Sequence, residues 1–152
     1  MSGRLPPSFA LEPASACDFE SLAAMRIEAM RESLERIGRF DPARSTERLR
    51  AAFDPADTRH VVVDGQRAGF VIARTVDGHR KLEHLYIRPA HQSKGLGSAV
   101  LGAIVAEARA LGLALHVTAL RESRSNDFYS RHGFACVARE GHDVHYRLET
   151  AP

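Results

Sequence analysis

Apolar residues recur near the start of this chain at steps of three and four, which is the spacing of one helix face. Ser15 and Asp18 precede the stripe as a capping signal, and Gly38 ends it. Its apolar positions are Phe19, Leu22, Ala23, Ile27, Met30, Leu34 and Ile37. The pattern predicts an amphipathic helix that packs on a core through this stripe.

A second helical stripe runs from Gly95 to Leu111, and Gly112 provides its stop. Its predicted core positions are Val100, Leu101, Ile104, Val105, Ala108 and Leu111. Two shorter helices are predicted over residues 45–53 and 123–132. The segment 39–42 is interpreted as a connection, because the residue before a proline avoids helical geometry.

Shorter runs of alternating or β-branched residues predict the strands, which are residues 8–12, 59–64, 67–76, 81–88, 113–119, 134–140 and 143–149. The short connections between the second, third and fourth strands make them antiparallel neighbours. The long helix before residues 113–119 makes that strand parallel to the one before it. Its near-continuous apolar run predicts burial on both faces.

The resulting order of elements is β-α-α-β-β-β-α-β-α-β-β. It predicts one domain of the α/β (α+β) class, in which helices flank a mixed, mostly antiparallel sheet. The chain has 152 residues, a length that suits one domain. We expect a flexible tail over residues 1–7 and a folded domain over residues 8–152.

Composition narrows the choice of partners. The formal net charge is only +2, and the arginines are interleaved with acids, which does not favour a nucleic-acid binder. No apolar run approaches the roughly 18–20 residues that span a membrane. Cys17 and Cys136 lie far apart, and no signal peptide is recognised, so we expect a reducing, cytoplasmic setting without a membrane partner.

The segment between residues 82 and 101 carries the clearest chemical signal. A strand ends, a polar loop follows, and Gly95 and Gly97 open a long helix beside Lys94. Glycines let the backbone approach a ligand closely, and the N–H groups at a helix start bind phosphate. The pattern therefore predicts a backbone phosphate cradle.

Two other phosphate loops fit this segment poorly. No stretch matches the G-x-x-x-x-G-K-[ST] loop of nucleotide triphosphatases. A dinucleotide fingerprint needs a third small residue where Val100 stands, and its first glycine directly after the strand, whereas Gly95 lies seven residues beyond Arg88.

Three segments together resemble the GCN5-related N-acetyltransferase (GNAT) superfamily. Residues 92–97 resemble its acetyl-coenzyme A loop, [QR]-x-x-G-x-[GA], and residues 85–89 resemble its fourth strand. Residues 123–134 resemble its late motif, in which a tyrosine precedes a Gly-Phe pair. The resemblance implies a GNAT fold and an acyltransferase that moves an acetyl group directly from acetyl-coenzyme A to a primary amine of a small molecule, protein or peptide, without a metal.

The same resemblance implies the residues of the coenzyme site. They are Leu85, Tyr86, Ile87, Gln92, Ser93, Lys94, Gly95, Leu96, Gly97, Ser98, Asn126 and Tyr129. Tyr129 would be the acid that protonates the departing thiolate, and a backbone N–H near Tyr86 or Ile87, on a bulged strand, would bind the carbonyl oxygen. Many members carry an asparagine seven residues before the tyrosine, where this chain has Glu122; Asn126 resembles a variant.

The acceptor amine must lose a proton, since a lysine-like amine has a pKa of about 10.4. Glu83 is the preferred base and shares a strand face with Lys81. His84 falls on the other face and stays a candidate because a bulge would re-aim it. The resemblance places the acceptor cleft between the first two helices, the fourth strand and the last hairpin, with candidate lining residues Met30, Arg31, Arg39, Phe40, Glu83 and Tyr146.

Several alternatives stay open. An acid-lined cleft would suit a polyamine or a lysine side chain, whereas exposed arginines would suit an amine that bears a carboxylate. A non-catalytic acyl-coenzyme A-binding or sensor module would keep the same fold. A three-residue step along a strand would put His142 and His145 on opposite faces, which does not favour a metal site. Family members are often homodimers, which the resemblance extends to this chain as an expectation.

Overall fold

The computed structural model describes residues 8–36, 38, 40–92, 94–121 and 123–150, with the backbone only for Met30 and Ser33. Its helices are α1 (Phe19–Arg36), α2 (Pro42–Ala52), α3 (Leu96–Leu111) and α4 (Ser125–Arg131). Its strands are β1 (Ala10–Pro13), β2 (Thr58–Val63), β3 (Gln66–Val76), β4 (His79–Ile87), β5 (Leu115–Leu120), β6 (Ala135–Glu140) and β7 (Asp143–Leu148). The predicted order of elements is confirmed. The predicted tail, residues 1–7, lies outside the described residues.

The seven strands form one sheet in the order β1-β2-β3-β4-β5-β7-β6. Every pair is antiparallel except β4 with β5, as the intervening helix predicts. The β4–β5 pair is short, since it begins at Arg80 with Leu115 and ends at Leu82 with Val117. Beyond Leu82 the two strands part in the middle of the sheet.

Helices cover both faces of the sheet. On one face, Leu101 and Ile104 of α3 pack on Val71 and Leu82 in the larger core. On the other face, α1 and α2 pack on β3 through a smaller cluster that contains Leu22, Leu49, Phe70 and Ile72. A strand residue therefore faces either α3 or the α1–α2 pair, and this decides which side chains can meet at a site.

Helix α2 begins earlier than predicted. Pro42 is its first residue, and Asp41 caps it by accepting a hydrogen bond from the Arg44 N–H at 3.1 Å. Proline at this position loses no helical hydrogen bond, and its fixed φ suits the first turn. The interpretation of residues 39–42 as connection alone was therefore wrong for Pro42.

Two burial predictions also need correction. Leu111, assigned to the core stripe of α3, is 58% exposed because it lies at the last turn of the helix. Strand β5 is not buried on both faces. Leu115, Val117 and Ala119 are buried, whereas His116 and Thr118 alternate with them and are half-buried.

Candidate active site

The opening between β4 and β5 exposes backbone groups of β4. Arg88 N–H donates to the Ala68 carbonyl at 2.8 Å, and such pairs alternate along antiparallel strands. The N–H groups of Leu85 and Ile87 therefore point away from β3 and into the opening. The N–H of Tyr86 points toward β3 instead. Of the two predicted donors to a carbonyl oxygen, Ile87 faces the opening and Tyr86 does not.

The loop after β4 leads directly into the start of α3. Gly95 caps this helix with φ 80°, a left-handed conformation that glycine adopts without strain. None of the described side chains caps the helix, so the described structure leaves the N–H groups of its first turn open to an anion. Gln92 ties the loop to β4 by donating to the Ile87 carbonyl at 2.7 Å. Lys94 is exposed beside this cradle.

Other members of the predicted loop have different surroundings. Leu96 is buried in a core cluster with Ile87 and Val100. Ser98 hydrogen-bonds Nε2 of His132 at 3.0 Å, which joins the start of α3 to α4. Ser93 lies outside the described residues. The loop thus offers backbone groups at Gly95 and Gly97, and the buried side chain of Leu96 anchors it to the core.

Helices α1 and α4 complete the walls of the opening. Its lining residues are Ala29, Glu32, Leu85, Tyr86, Ile87, Gln92, Arg124 and Ser125. Glu32 of α1 and Arg124, the residue before α4, form an ion pair across it, and both side chains are largely exposed. A groove with free β4 amides along it and a phosphate cradle at one end fits a long, flexible coenzyme that carries a pyrophosphate.

Tyr129 stands on α4 with its ring packed among Phe128, Phe134 and Tyr146. It is 6% exposed, and its hydroxyl has no hydrogen-bond partner among the described residues. Burial raises the pKa of this hydroxyl, with a smaller contribution from Tyr86, so the group keeps its proton at neutral pH. A protonated, unpartnered hydroxyl can donate to a ligand atom.

Asn126 and Tyr146 form a supporting pair. The Tyr146 hydroxyl donates to Oδ1 of Asn126 at 2.8 Å, and Nδ2 of Asn126 donates to the carbonyls of Leu120 and Ser123. Asn126 was predicted to contact the coenzyme and Tyr146 the acceptor. In the structure they bond each other and fix α4 against the end of β5. Glu122 lies outside the described residues.

A bulge in β4 changes which side chains share a face. Ile72 of β3 pairs with His84, but its neighbour Ala73 pairs with Leu82, so Glu83 is an extra residue. His84 thereby joins Lys81 and Glu83 on the α1–α2 face. The prediction that Glu83 and His84 lie on opposite faces was wrong, because the strand irregularity falls at Glu83 rather than near Tyr86.

These side chains line a cavity of about 450 Å³ between β4, α1, α2 and the last hairpin. Its polar lining residues are Arg26, Arg48, Arg74, Lys81, Glu83, His84, Tyr86, Thr118, Asp143 and His145. Glu83 accepts from Arg74 at 3.0 Å and lies 3.3 Å from Nζ of Lys81. Its carboxylate therefore pairs with two cationic side chains in the cavity wall.

His84 is linked to α1 through Tyr86. The Tyr86 hydroxyl accepts from Nε of Arg26 at 3.2 Å and lies 3.2 Å from Nδ1 of His84. Burial, together with the positive charges of Arg26 and Arg48, lowers the pKa of His84 to about 3. The imidazole is therefore neutral at physiological pH, and in the free protein it is a much weaker base than an ordinary histidine.

This lowered pKa predicts an acid-dependent stability. An unfolded chain protonates His84 near pH 6.5, whereas the folded chain does so near pH 3. The unfolded state thus binds more protons in between, so the free energy of unfolding falls as pH drops from 6.5 toward 3, by at most about 1.4 kcal/mol per unit. His84→Gln should flatten that slope in denaturant titrations between pH 6.5 and 4. An unchanged slope would show that other groups cause it.

The remaining predicted acceptor residues lie elsewhere. The guanidinium of Arg31 stacks over Phe40 at 4.9 Å and pairs with Glu35 on the exposed side of α1. Arg39 and the side chain of Met30 lie outside the described residues. The structure instead brings Arg26 and Arg48 to the cavity, which sequence reasoning missed. The sequence held one signal for Arg26: it lies one helical turn after Leu22, within the apolar stripe that faces the core.

Comparisons with known proteins identify the family. A sequence profile described as the acetyltransferase (GNAT) family matches residues 24–134, which include β4, the phosphate cradle and Tyr129. The chain belongs to the acetyltransferase (GNAT) family. Membership makes this GNAT chain an acyltransferase whose acetyl donor is acetyl-coenzyme A, in agreement with its groove and cradle. No curated protein matches the chain in a sequence search.

Solved structures share the fold of this GNAT chain at low sequence identity. The PaiA N-acetyltransferase of Thermoplasma acidophilum, in complex with coenzyme A, has a TM-score of 0.76 at 16% identity, covering 93% of this chain and 99% of that one. An acetyltransferase of Thermus thermophilus has a TM-score of 0.74 at 18% identity, covering 93% and 96%. The ribosomal-protein-S18-alanine N-acetyltransferase of Escherichia coli has a TM-score of 0.68 at 15% identity, covering 95% and 96%.

None of the helices in the described part of the chain is long and apolar enough to cross a membrane. The same residues contain no group of three histidine, cysteine or acidic side chains arranged to hold a metal. His145 hydrogen-bonds Thr118 at 2.9 Å, and His142 is exposed.

Proposed function

We propose that this protein transfers an acetyl group from acetyl-coenzyme A directly to a primary amine of a small molecule. The observation that carries the proposal is the opening of β4, which has the phosphate cradle at one end and a polar cavity on its α1–α2 side. The donor would lie in the groove along Leu85 and Ile87. The acceptor would enter through the cavity.

The chain's own groups meet the needs of the reaction. The outward N–H groups of Leu85 and Ile87 supply fixed donors for the carbonyl oxygen, whose negative charge grows as the amine attacks. Tyr129 keeps its proton at neutral pH and can deliver it to the departing sulfur. Glu83 and His84, both on the cavity wall, are the candidate acceptors for the amine proton.

Coenzyme binding is tested by thermal unfolding. Acetyl-coenzyme A at a hundredfold over its Kd should add about 2.7 kcal/mol to the free energy of unfolding. For a domain of this size, that corresponds to a rise in Tm of roughly 5–10 °C. NAD, which also carries a pyrophosphate, is the matched control and should leave Tm unchanged. If NAD raised Tm and acetyl-coenzyme A did not, the protein would be a dinucleotide-binding protein and this proposal would be wrong.

Turnover is tested separately by thiol release. Free coenzyme A should appear only when acetyl-coenzyme A and a suitable amine are both present. Coenzyme binding without thiol release from a broad panel of amines would support the sensor module instead. Mass spectrometry of the product should show one added acetyl group on nitrogen.

A further inference from the structure

A buried arginine in the cavity wall has no acidic partner within the described part of the chain. Arg26 is 6% exposed, and Nη1 donates to the Ser45 carbonyl at 2.9 Å and to the Ser45 hydroxyl. Its Nε donates to Tyr86, while Nη2 has no partner among the described residues. A buried cation without a countercharge is costly unless a ligand supplies the charge. The guanidinium lines the wall of two adjoining cavities.

Helix α2 adds further positive charge beside Arg26. Arg44 and Arg48 lie one turn apart on the same face, and neither has an acidic partner among the described residues. Arg48 lines both cavities with Arg26. The three arginines form a cationic cluster at the α1–α2 end of the cavity.

The acids of the two cavities do not balance this cluster. Among the described residues that line the two cavities, five side chains are cationic and three are acidic. Glu83 is already held by Arg74 and Lys81. Asp41 is engaged as the cap of α2. The free charge at the α1–α2 end is therefore positive, which disfavours a second ammonium group there and favours an anion.

We propose that the acceptor is a small amine that also carries a carboxylate, which Arg26 and Arg48 bind while the amine points toward the opening of β4. This rests on the proposed acetyl transfer. A guanidinium with an unused nitrogen presents paired N–H donors to a carboxylate. The volume of about 450 Å³ lies in the range of small-molecule binding sites.

The geometry also links acceptor binding to the base. Burial lowers the pKa of His84 most, and Arg26 and Arg48 are the charges that lower it further. A carboxylate that neutralises both guanidinium groups would raise this pKa and make His84 a better proton acceptor. The charges that act on His84 come from Arg26 on α1 and Arg48 on α2. The other charged or titratable residues of the same cavity are Arg74, Lys81, Glu83, Asp143 and His145.

The first test compares matched acceptors on the wild-type protein by thiol release. Each amino acid of a panel is paired with its amide, which keeps the amine and removes the negative charge. We expect kcat/KM to be about 10- to 100-fold higher for the acid member, the effect of a charge-assisted hydrogen bond. A comparison of the rates with phosphoethanolamine and ethanolamine tests whether a phosphate group can take the place of the carboxylate. Equal rates within the pairs, or preference for phosphate or for polyamines, would overturn the inference.

The second test uses variants. Arg48→Gln should raise KM for the acid acceptor about 10-fold or more and change KM for its amide by a smaller factor. Arg50→Gln, on the same helix but outside the cavities, is the control and should change neither. Arg26→Lys keeps the charge and should lose less than Arg26→Met. Arg48→Gln with equal KM changes for acid and amide would contradict the inference.

These outcomes are separate from the fate of the proposed function. If acetyl transfer itself is wrong, no amine releases thiol and the variants cannot differ. If only the acceptor class is wrong, thiol release persists with uncharged or cationic amines. The Tm rise with acetyl-coenzyme A should be the same in Arg48→Gln and wild type, because Arg48 lies outside the groove along β4.

Discussion

Replacing Tyr129 by phenylalanine is expected to lower kcat by about 10²- to 10⁴-fold, the usual contribution of a positioned general acid. The substitution removes only the hydroxyl, so the ring keeps its contacts with Phe128, Phe134 and Tyr146. The hydroxyl has no partner among the described residues, so its loss leaves no buried group unpaired. Steady-state thiol release and a thermal unfolding curve measure both effects.

Tyr146→Phe is the matched control for this prediction. Its ring lies 6.2 Å from that of Tyr129, but its hydroxyl is committed to Asn126. We expect about 1 kcal/mol of lost stability and less than a tenfold change in kcat. A Tyr129→Phe protein as fast as wild type would remove this hydroxyl from the mechanism, and equal losses in both variants would assign it a structural role.

Gly69→Ala is expected to have the largest effect on stability. A Cβ atom at Gly69 would lie 2.1 Å from the Tyr86 carbonyl oxygen, which is backbone and cannot rotate away. Strands β3 and β4 must then separate, at a cost of about 3 kcal/mol, the upper end of typical overpacking. The same shift would displace Leu85 and Ile87, so activity should fall with stability. Urea denaturation and acetyl-coenzyme A affinity measure the two effects.

Gly102→Ala provides the opposite expectation. Gly102 lies inside α3, and a Cβ there would meet nothing within 4 Å. Alanine has the higher helix propensity, so the free energy of unfolding should rise by up to about 1 kcal/mol. If Gly69→Ala were as well tolerated as Gly102→Ala, that result would contradict the close approach of β3 to β4 at Gly69.

The sequence predicted the order of elements and the phosphate cradle because both depend on local signals. The stripe of α3 and the glycines before it lie within one segment, and the N–H groups of an uncapped helix start favour an anion. The family resemblance added Tyr129, whose role stays a prediction. Boundaries shifted where a capping residue acted, as at Pro42.

The acceptor cavity could not be predicted in the same way, because it depends on one extra residue in β4. Without the bulge at Glu83, strict alternation would point His84 toward α3 and away from Arg26. No residue near Glu83 in the sequence indicates that a bulge occurs there. Arg26 was hidden for a different reason: an arginine in an apolar stripe is usually exposed, and only tertiary packing buries this one.

The parting of β4 from β5 also leaves the two halves of the sheet joined by only a short ladder of hydrogen bonds. Strands β1–β4 and β5–β7 are joined by ladder bonds only from Arg80 to Leu82. Amide hydrogen exchange should therefore be fast at Leu85 and Ile87, whose N–H groups lack a strand partner, and slow at their β3 neighbours. Bound acetyl-coenzyme A should slow those two amides selectively. The gap in the ladder thus makes each of these two amides a site-specific reporter of donor binding.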